Sequence, residues 1–199
     1  MATKEDVLEQ VAEEYLLHQG YFVQHNVKYR PRSDHPEHDH NKDSVNSDID
    51  VVGLHPGLQG AKRVMVVSCK SWQGGFKPST VLEKIESGGK VSGREAWIGY
   101  RELCIPKWSD AFCRKIREIT GSDEFTYVLA VTVVKGDKSV WENHKRFRDA
   151  INGNPIAVLT FREMVRQIQS DLTTTPAATE IGRLLQLSKA AGIDFGKDV

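Results

Sequence analysis

Ser47-Asp48-Ile49-Asp50-Val51-Val52-Gly53-Leu54 is followed, after His55-Pro56-Gly57-Leu58-Gln59-Gly60-Ala61-Lys62, by Arg63-Val64-Met65-Val66-Val67-Ser68-Cys69-Lys70-Ser71. Both arms are rich in β-branched residues and the joint carries Pro and Gly, which predicts an antiparallel strand pair. Side chains alternate along a strand, so Asp48 and Asp50 are expected on one face and Ile49 and Val51 on the other. On the second arm Ser68, Lys70 and Trp72 point one way and Val67, Cys69 and Ser71 the other. One face of the pair then presents carboxylate, hydroxyl and ammonium together. A single Asp at a strand start is ordinarily a turn or cap residue, and a single Lys at a strand end is ordinarily solvated. Their coincidence on neighbouring strands calls for a chemical reading.

Outward from this pair, residues 4–18 place Val7, Val11, Ala12, Tyr15 and Leu16 at helical spacing, with Gly20 as a stop. Residues 21–29 read as a strand. Residues 31–47 have no apolar period and are rich in Pro, Asp, His, Asn and Ser, which predicts a long exposed loop. After Lys77-Pro78-Ser79 a helix is expected, capped by Ser79 or Thr80 and ended by Gly88-Gly89. A second helical region runs over 107–120. Residues 125–134 are nearly continuous apolar, the pattern of a strand buried on both faces. A helix over 139–151, a strand over 155–160 and a helix over 161–170 complete an α/β order in which helices cover both sides of a sheet. Thr173-Thr174-Thr175-Pro176-Ala177-Ala178 links to a last amphipathic helix with Ile181, Leu184, Leu185 and Leu187.

A chain of 199 residues with 39% apolar residues is expected to build one core. It has no apolar run of roughly 18 to 20 residues, and Met1-Ala2-Thr3-Lys4-Glu5-Asp6 lacks a secretory signal's apolar core, so a cytoplasmic protein with no membrane partner is expected. Cys69, Cys104 and Cys113 are odd in number and show no CxxC spacing, which argues against a disulfide framework and a structural zinc site. The 27 basic and 27 acidic residues cancel, unlike the balance of a general nucleic-acid binder. A local basic face would have to come from Lys28, Arg30 and Arg32, from Arg114, Lys115 and Arg117, or from Lys145, Arg146 and Arg148. Such runs are also ordinary solvated faces. His35, His38 and His40 are close enough in sequence to bind a transition metal, but no regular element sets their spacing, and a solvated loop is the plainer expectation. Gly74-Gly75 and Gly88-Gly89 lack the lysine and hydroxyl of a nucleotide-binding loop.

The Asp50 strand, the turn and the Ser68-Cys69-Lys70 strand, with the elements around them over about residues 5–160, resemble the core of PD-(D/E)XK nucleases, in the order of Mrr-like enzymes and archaeal Holliday-junction resolvases. The resemblance implies a restriction-endonuclease-like mixed central sheet flanked by helices. It also implies an Mg²⁺- or Mn²⁺-dependent endonuclease hydrolysing DNA phosphodiesters in restriction, defence or repair. Asp50 would be the principal metal ligand with the Cys69 carbonyl beside it, and Lys70 would orient or help deprotonate the attacking water.

The chain departs from the family at Ser68, where the pattern has Asp or Glu. A subgroup carries Ser-x-Lys and draws its acid from the following helix, which points to Glu83 or Glu86. The expected catalytic set is thus Asp50, Ser68 and Lys70 with one of these glutamates. Glu83 equally fits a capping box with Thr80, and Glu86 a surface position. Resolvase-type members add an acid from the first helix; of Glu13 and Glu14, Glu14 lies nearer the apolar face and is the expected further ligand, a plain surface glutamate being the alternative. Trp72 would stack on a base or pack under the site, and Gln73, Arg30 and Arg32 would touch nucleic acid. If the acid is simply lost, the domain becomes a degenerate binding module for nucleic acid or protein. Residues 1–172 are assigned to the nuclease-like domain. Residues 173–199 are assigned to a linker and helix packed on that domain or at a homodimer interface.

Overall fold

The structure, a computed structural model, describes residues 6–41, 43–91 and 93–193. The outer ends of the two expected segments, residues 1–5 and 194–199, lie outside the described residues. Helix α1 (Val7–His18) begins where Asp6 accepts the Leu8 N–H at 2.9 Å. It ends at Gly20, whose φ of +85° suits glycine. Strand β1 (Phe22–Tyr29) pairs antiparallel with β2 (Ser47–Leu54), and β2 pairs antiparallel with β3 (Val64–Lys70), as expected of the strand pair. After helix α2 (Pro78–Glu86), a small hairpin of β4 (Lys90–Val91) and β5 (Arg94–Glu95) leads to the short helix α3 (Arg101–Cys104) and the long α4 (Pro106–Thr120). Strand β6 (Thr126–Val131) runs parallel to β3, and β7 (Ile156–Thr160) parallel to β6, giving a mixed sheet in the order β1-β2-β3-β6-β7.

Two cores flank the sheet. Val64, Val66, Tyr127, Leu129 and Val131 face α2, α3, α4 and the short helices α5 (Ser139–Glu142) and α6 (Lys145–Ala150). Val51, Val67, Val128 and Ala130 face α1, α7 (Phe161–Asp171) and α8 (Glu180–Ala190). β6 feeds both cores, which is why its sequence is apolar without alternation. Among the described residues no helix is long and apolar enough to cross a membrane.

Four local outcomes differ from the pattern reading. The expected 139–151 helix is two, because Trp141 and Phe147 are both fully buried. Six residues apart on one helix, they would point roughly 120° away from each other. The N-cap of α2 is Lys77, not Ser79 or Thr80, and Pro78 takes the first helical position, where proline lacks only an N–H that would be unpaired anyway. The 31–47 loop is not merely solvated. Its Asp43 is buried, accepting the Asp39 N–H at 2.8 Å and the Lys107 ammonium at 2.6 Å, and Lys107 also donates to the Glu37 carbonyl. The stripe on α8 divides: Leu185 packs inward, while Leu184 and Leu187 stay exposed. Lys189 ties this helix to the Gln169 and Leu172 carbonyls.

Candidate active site

Strict alternation fails at Asp50. Ile49 belongs to the α4-side core and Val51 to the α1-side core, although alternation would put both on one face. Asn26, opposite Asp50 between the pairs His25–Val51 and Val27–Ile49, has a φ of +50°, so both strands change face at the same level. Asp48 therefore does not share a face with Asp50 as expected. It turns outward to Lys28 at 2.6 Å. The β2/β3 ladder ends at Val51–Val67, and beyond it the Asp50 carboxylate takes over, accepting the Cys69 N–H at 2.6 Å.

Lys70, at the carboxyl end of β3, donates to the Ser68 hydroxyl at 3.1 Å, as expected if the two share a face. Burial raises the Asp50 pKa above the ordinary aspartate range. The Lys70 charge and the Cys69 N–H pull it down, and the charges of Glu102 and Asp48 push it up again. The Cys69 thiol is held well above its usual range by burial, with the Asp50 and Glu9 charges adding to it, which favours its protonated form.

Glu102 is the residue that pattern reading misses. It is buried at 6% exposure on α3, and Tyr127 donates to its Oε1 at 2.7 Å. Tyr29 donates to its Oε2 at 3.4 Å. Burial, with the Glu102 charge beside them, raises both tyrosines well above the ordinary phenol range, so they remain donors. The Ser68 hydroxyl lies against Tyr127, and the Glu102 charge is felt at Asp50. A buried carboxylate held by phenol donors is costly to desolvate, and such groups concentrate where charge has work to do. Its one available signal was two flanking apolar positions, Leu103 and Cys104, in a segment too short to show a period.

The other expected residues are dispersed. Glu83 is exposed on α2 and makes no capping box with Thr80, and Glu86 stands 3.6 Å from His144. Glu14 does look inward, but it meets His18 of its own helix at 3.0 Å and accepts from the Thr179 hydroxyl at the start of α8. Glu13 pairs with His25 at 3.0 Å. Trp72 is half-buried and packs against Phe76 and Tyr100 at ring separations of 6.1 and 6.4 Å. Gln73 is exposed, and Arg30 and Arg32 lie beyond the far end of β1. His38 and His40 stack edge to face at 4.7 Å, and His35 approaches Asp110 at 3.7 Å. Among the described residues no group of three or more His, Cys, Asp or Glu is gathered to hold a metal ion.

What does converge, where β3 ends, is Asp50, Ser68, Lys70, the Cys69 backbone and Glu102. Fold and site together define a mixed α/β protein whose sheet end carries two interacting carboxylates, a lysine and a hydroxyl. No protein-family model, curated protein or solved structure matches this chain.

Proposed function

We propose that the chain is a PD-(D/E)XK-type endonuclease of restriction-endonuclease-like fold, hydrolysing DNA phosphodiesters with Mg²⁺ or Mn²⁺ in the cytoplasm. The observation that carries this reading is the Asp50 carboxylate, fixed by the Cys69 N–H and within the field of the Lys70 ammonium that Ser68 holds, with the buried Glu102 reaching Ser68 through Tyr127, where the family's acid is missing. The sheet order, with two antiparallel and two parallel junctions, supports the same reading.

The donor set suits a hard cation. Asp50 and Glu102 offer carboxylate oxygens, and Mg²⁺ needs only one or two protein carboxylates because it keeps several waters. Burial, with the Glu102 and Asp48 charges adding to it, already raises the Asp50 pKa, a penalty that a divalent cation would offset. Asp50 and Glu102 would hold the ion, which would polarise the phosphate and lower the pKa of a bound water. Lys70 orients the attacking water and offsets the charge that grows on the phosphorus oxygens as the phosphodiester P–O bond breaks. Ser68 fixes the Lys70 ammonium. Tyr127 and Tyr29 fix the Glu102 carboxylate.

The test is nicking of supercoiled plasmid with Mg²⁺ or Mn²⁺ by the wild type, Lys70→Ala and Glu102→Gln. Metal-dependent cutting that both variants lose is expected. Absence of cutting of plasmid, branched DNA and RNA by the wild type would instead favour a degenerate binding module, the reading that Ser68 supports.

A further inference from the structure

We infer that the end of β1, the following loop and α4 form a phosphate-binding groove that seats a nucleic-acid strand about four nucleotides from the scissile bond. The inference rests on the nuclease reading and specifies where its substrate lies.

Two basic clusters that are far apart in sequence meet here, Arg114 donating to the Arg30 carbonyl at 3.3 Å. Arg30 and Arg114 line both of two adjoining cavities, one of about 520 Å³ that also takes in Arg32, His38 and His40, the other of about 230 Å³ that takes in Lys28 and Lys115. The lining holds five Lys or Arg side chains, Lys28, Arg30, Arg32, Arg114 and Lys115, against three acids, Asp34, Asp43 and Glu118. The chain as a whole is neutral, so this is a concentration of positive charge and not a general bias. All three acids are engaged: Arg32 holds Asp34, Lys107, outside the lining, neutralises Asp43, and Glu118 pairs with Lys115 at 3.1 Å and Arg114 at 3.6 Å, while Lys28 reaches Asp48 beside the groove. Among the described residues the Arg30 guanidinium has no partner, and it is exposed. In the third sequence cluster every cation has a partner, Lys145 in Asp149 and Arg146 and Arg148 in the Cys104 and Gly153 carbonyls, unlike the Arg30 guanidinium.

Position decides the occupant. Asn26 stands opposite Asp50 in the β1/β2 ladder and Arg30 is four residues further along. At about 3.3 Å per residue this is roughly 13 Å. One duplex strand advances about 3.4 Å per nucleotide, so the groove meets phosphates about four steps away. Tyr29 borders the groove and its buried hydroxyl donates to Glu102, so groove and site share one residue.

The experiment is anisotropy of a fluorescein-labelled 20-base-pair duplex in EDTA at several salt concentrations. It compares the wild type, Arg30→Gln, Arg30→Gln/Arg114→Gln and, as control, Lys145→Gln/Arg148→Gln, each first checked for an unchanged melting temperature. The double variant should bind about tenfold more weakly and its log Kd against log salt should flatten by about 2, roughly 0.9 per lost phosphate contact. The single variant should lose about half of this, and the control nothing. Plasmid nicking by the groove variants should show a raised KM with kcat kept. Wild-type-like binding and slope in the double variant overturns the groove, and if plasmid is still nicked the nuclease reading survives. Loss of inorganic-phosphate binding, by calorimetry, in variants that still bind duplex normally overturns it in favour of a small-anion pocket. A wild type that neither binds nor cuts any nucleic acid overturns both.

Discussion

Asp50 Oδ2 accepts the Cys69 N–H at 2.6 Å, at the point where the backbone ladder between their two strands has ended. A side chain thus replaces a ladder bond, and the carboxylate is locked beside Lys70 instead of swinging into solvent. The candidate chemistry depends on this lock, and it sets the first prediction.

Asp50 has a raised folded-state pKa, so the folded chain holds its proton more tightly than the unfolded chain does. Ionised Asp50 therefore opposes folding above its folded value, and this penalty vanishes below the unfolded value of about 3.9. Asp50→Asn, which keeps an oxygen for Cys69, should melt higher than the wild type at pH 7, with the gap closing toward pH 3.5. Added Mn²⁺ should raise the melting temperature of the wild type but not of the variant. Calorimetric scans across pH check both, and a variant less stable at pH 7 would contradict the first.

Glu102→Gln should cut nicking by at least about a hundredfold, while Glu83→Gln and Glu86→Gln stay near wild type. Replacing Tyr127 by Phe removes the 2.7 Å donor and should cost about 1–3 kcal/mol in urea unfolding, because the buried carboxylate loses a partner. Equal losses in all three glutamate variants would remove Glu102 from its assigned role.

Burial would raise the Asp43 pKa, but the Asp39 N–H and the Lys107 ammonium outweigh it and hold it below the ordinary range. A depressed folded pKa stabilises above the unfolded value and is lost as pH falls through the folded one. The 31–46 loop should therefore resist protease at pH 6 and open in acid below about pH 3.9. Lys107→Met, which strands a buried charge, should cost about 3 kcal/mol and open the loop at neutral pH. Limited proteolysis with mass spectrometry reads the cleavage sites.

A side chain at Gly182 would overlap the Glu14 carboxylate and crowd Ala177. Gly182→Ala should lower stability by about 1–3 kcal/mol and expose α8 to hydrogen exchange, leaving the exchange of β3 and β6 unchanged. Protection of α8 equal to wild type would show that the contact yields at no cost.

Elements with a strong local signal were legible. The paired strands 47–54 and 64–70, the doubly buried β6 and the helices α1, α4 and α7 follow from periodicity and turn residues, which act over neighbouring positions. Asp50, Ser68 and Lys70 were legible as a set because two adjacent strands needed only one short turn to bring them together. Glu102 was not, because α3 is four residues long, and nothing in Arg101-Glu102-Leu103-Cys104 records that Tyr29 and Tyr127 will close over it. Glu83 and Glu86 read well by proximity in sequence, yet both are exposed on α2, whose buried positions are Pro78, Val81, Leu82 and Ile85.

By itself, the sequence determined the strand pair, the α/β order and the face shared by Ser68 and Lys70, since alternation and periodicity are properties of consecutive residues. Only the tertiary structure decided that both strands change face at Asn26 and Asp50. It also decided that the buried acid comes from α3, that Glu14 serves α8, and that Arg30 meets Arg114. These outcomes depend on contacts between segments distant along the chain, where packing and desolvation override any local pattern.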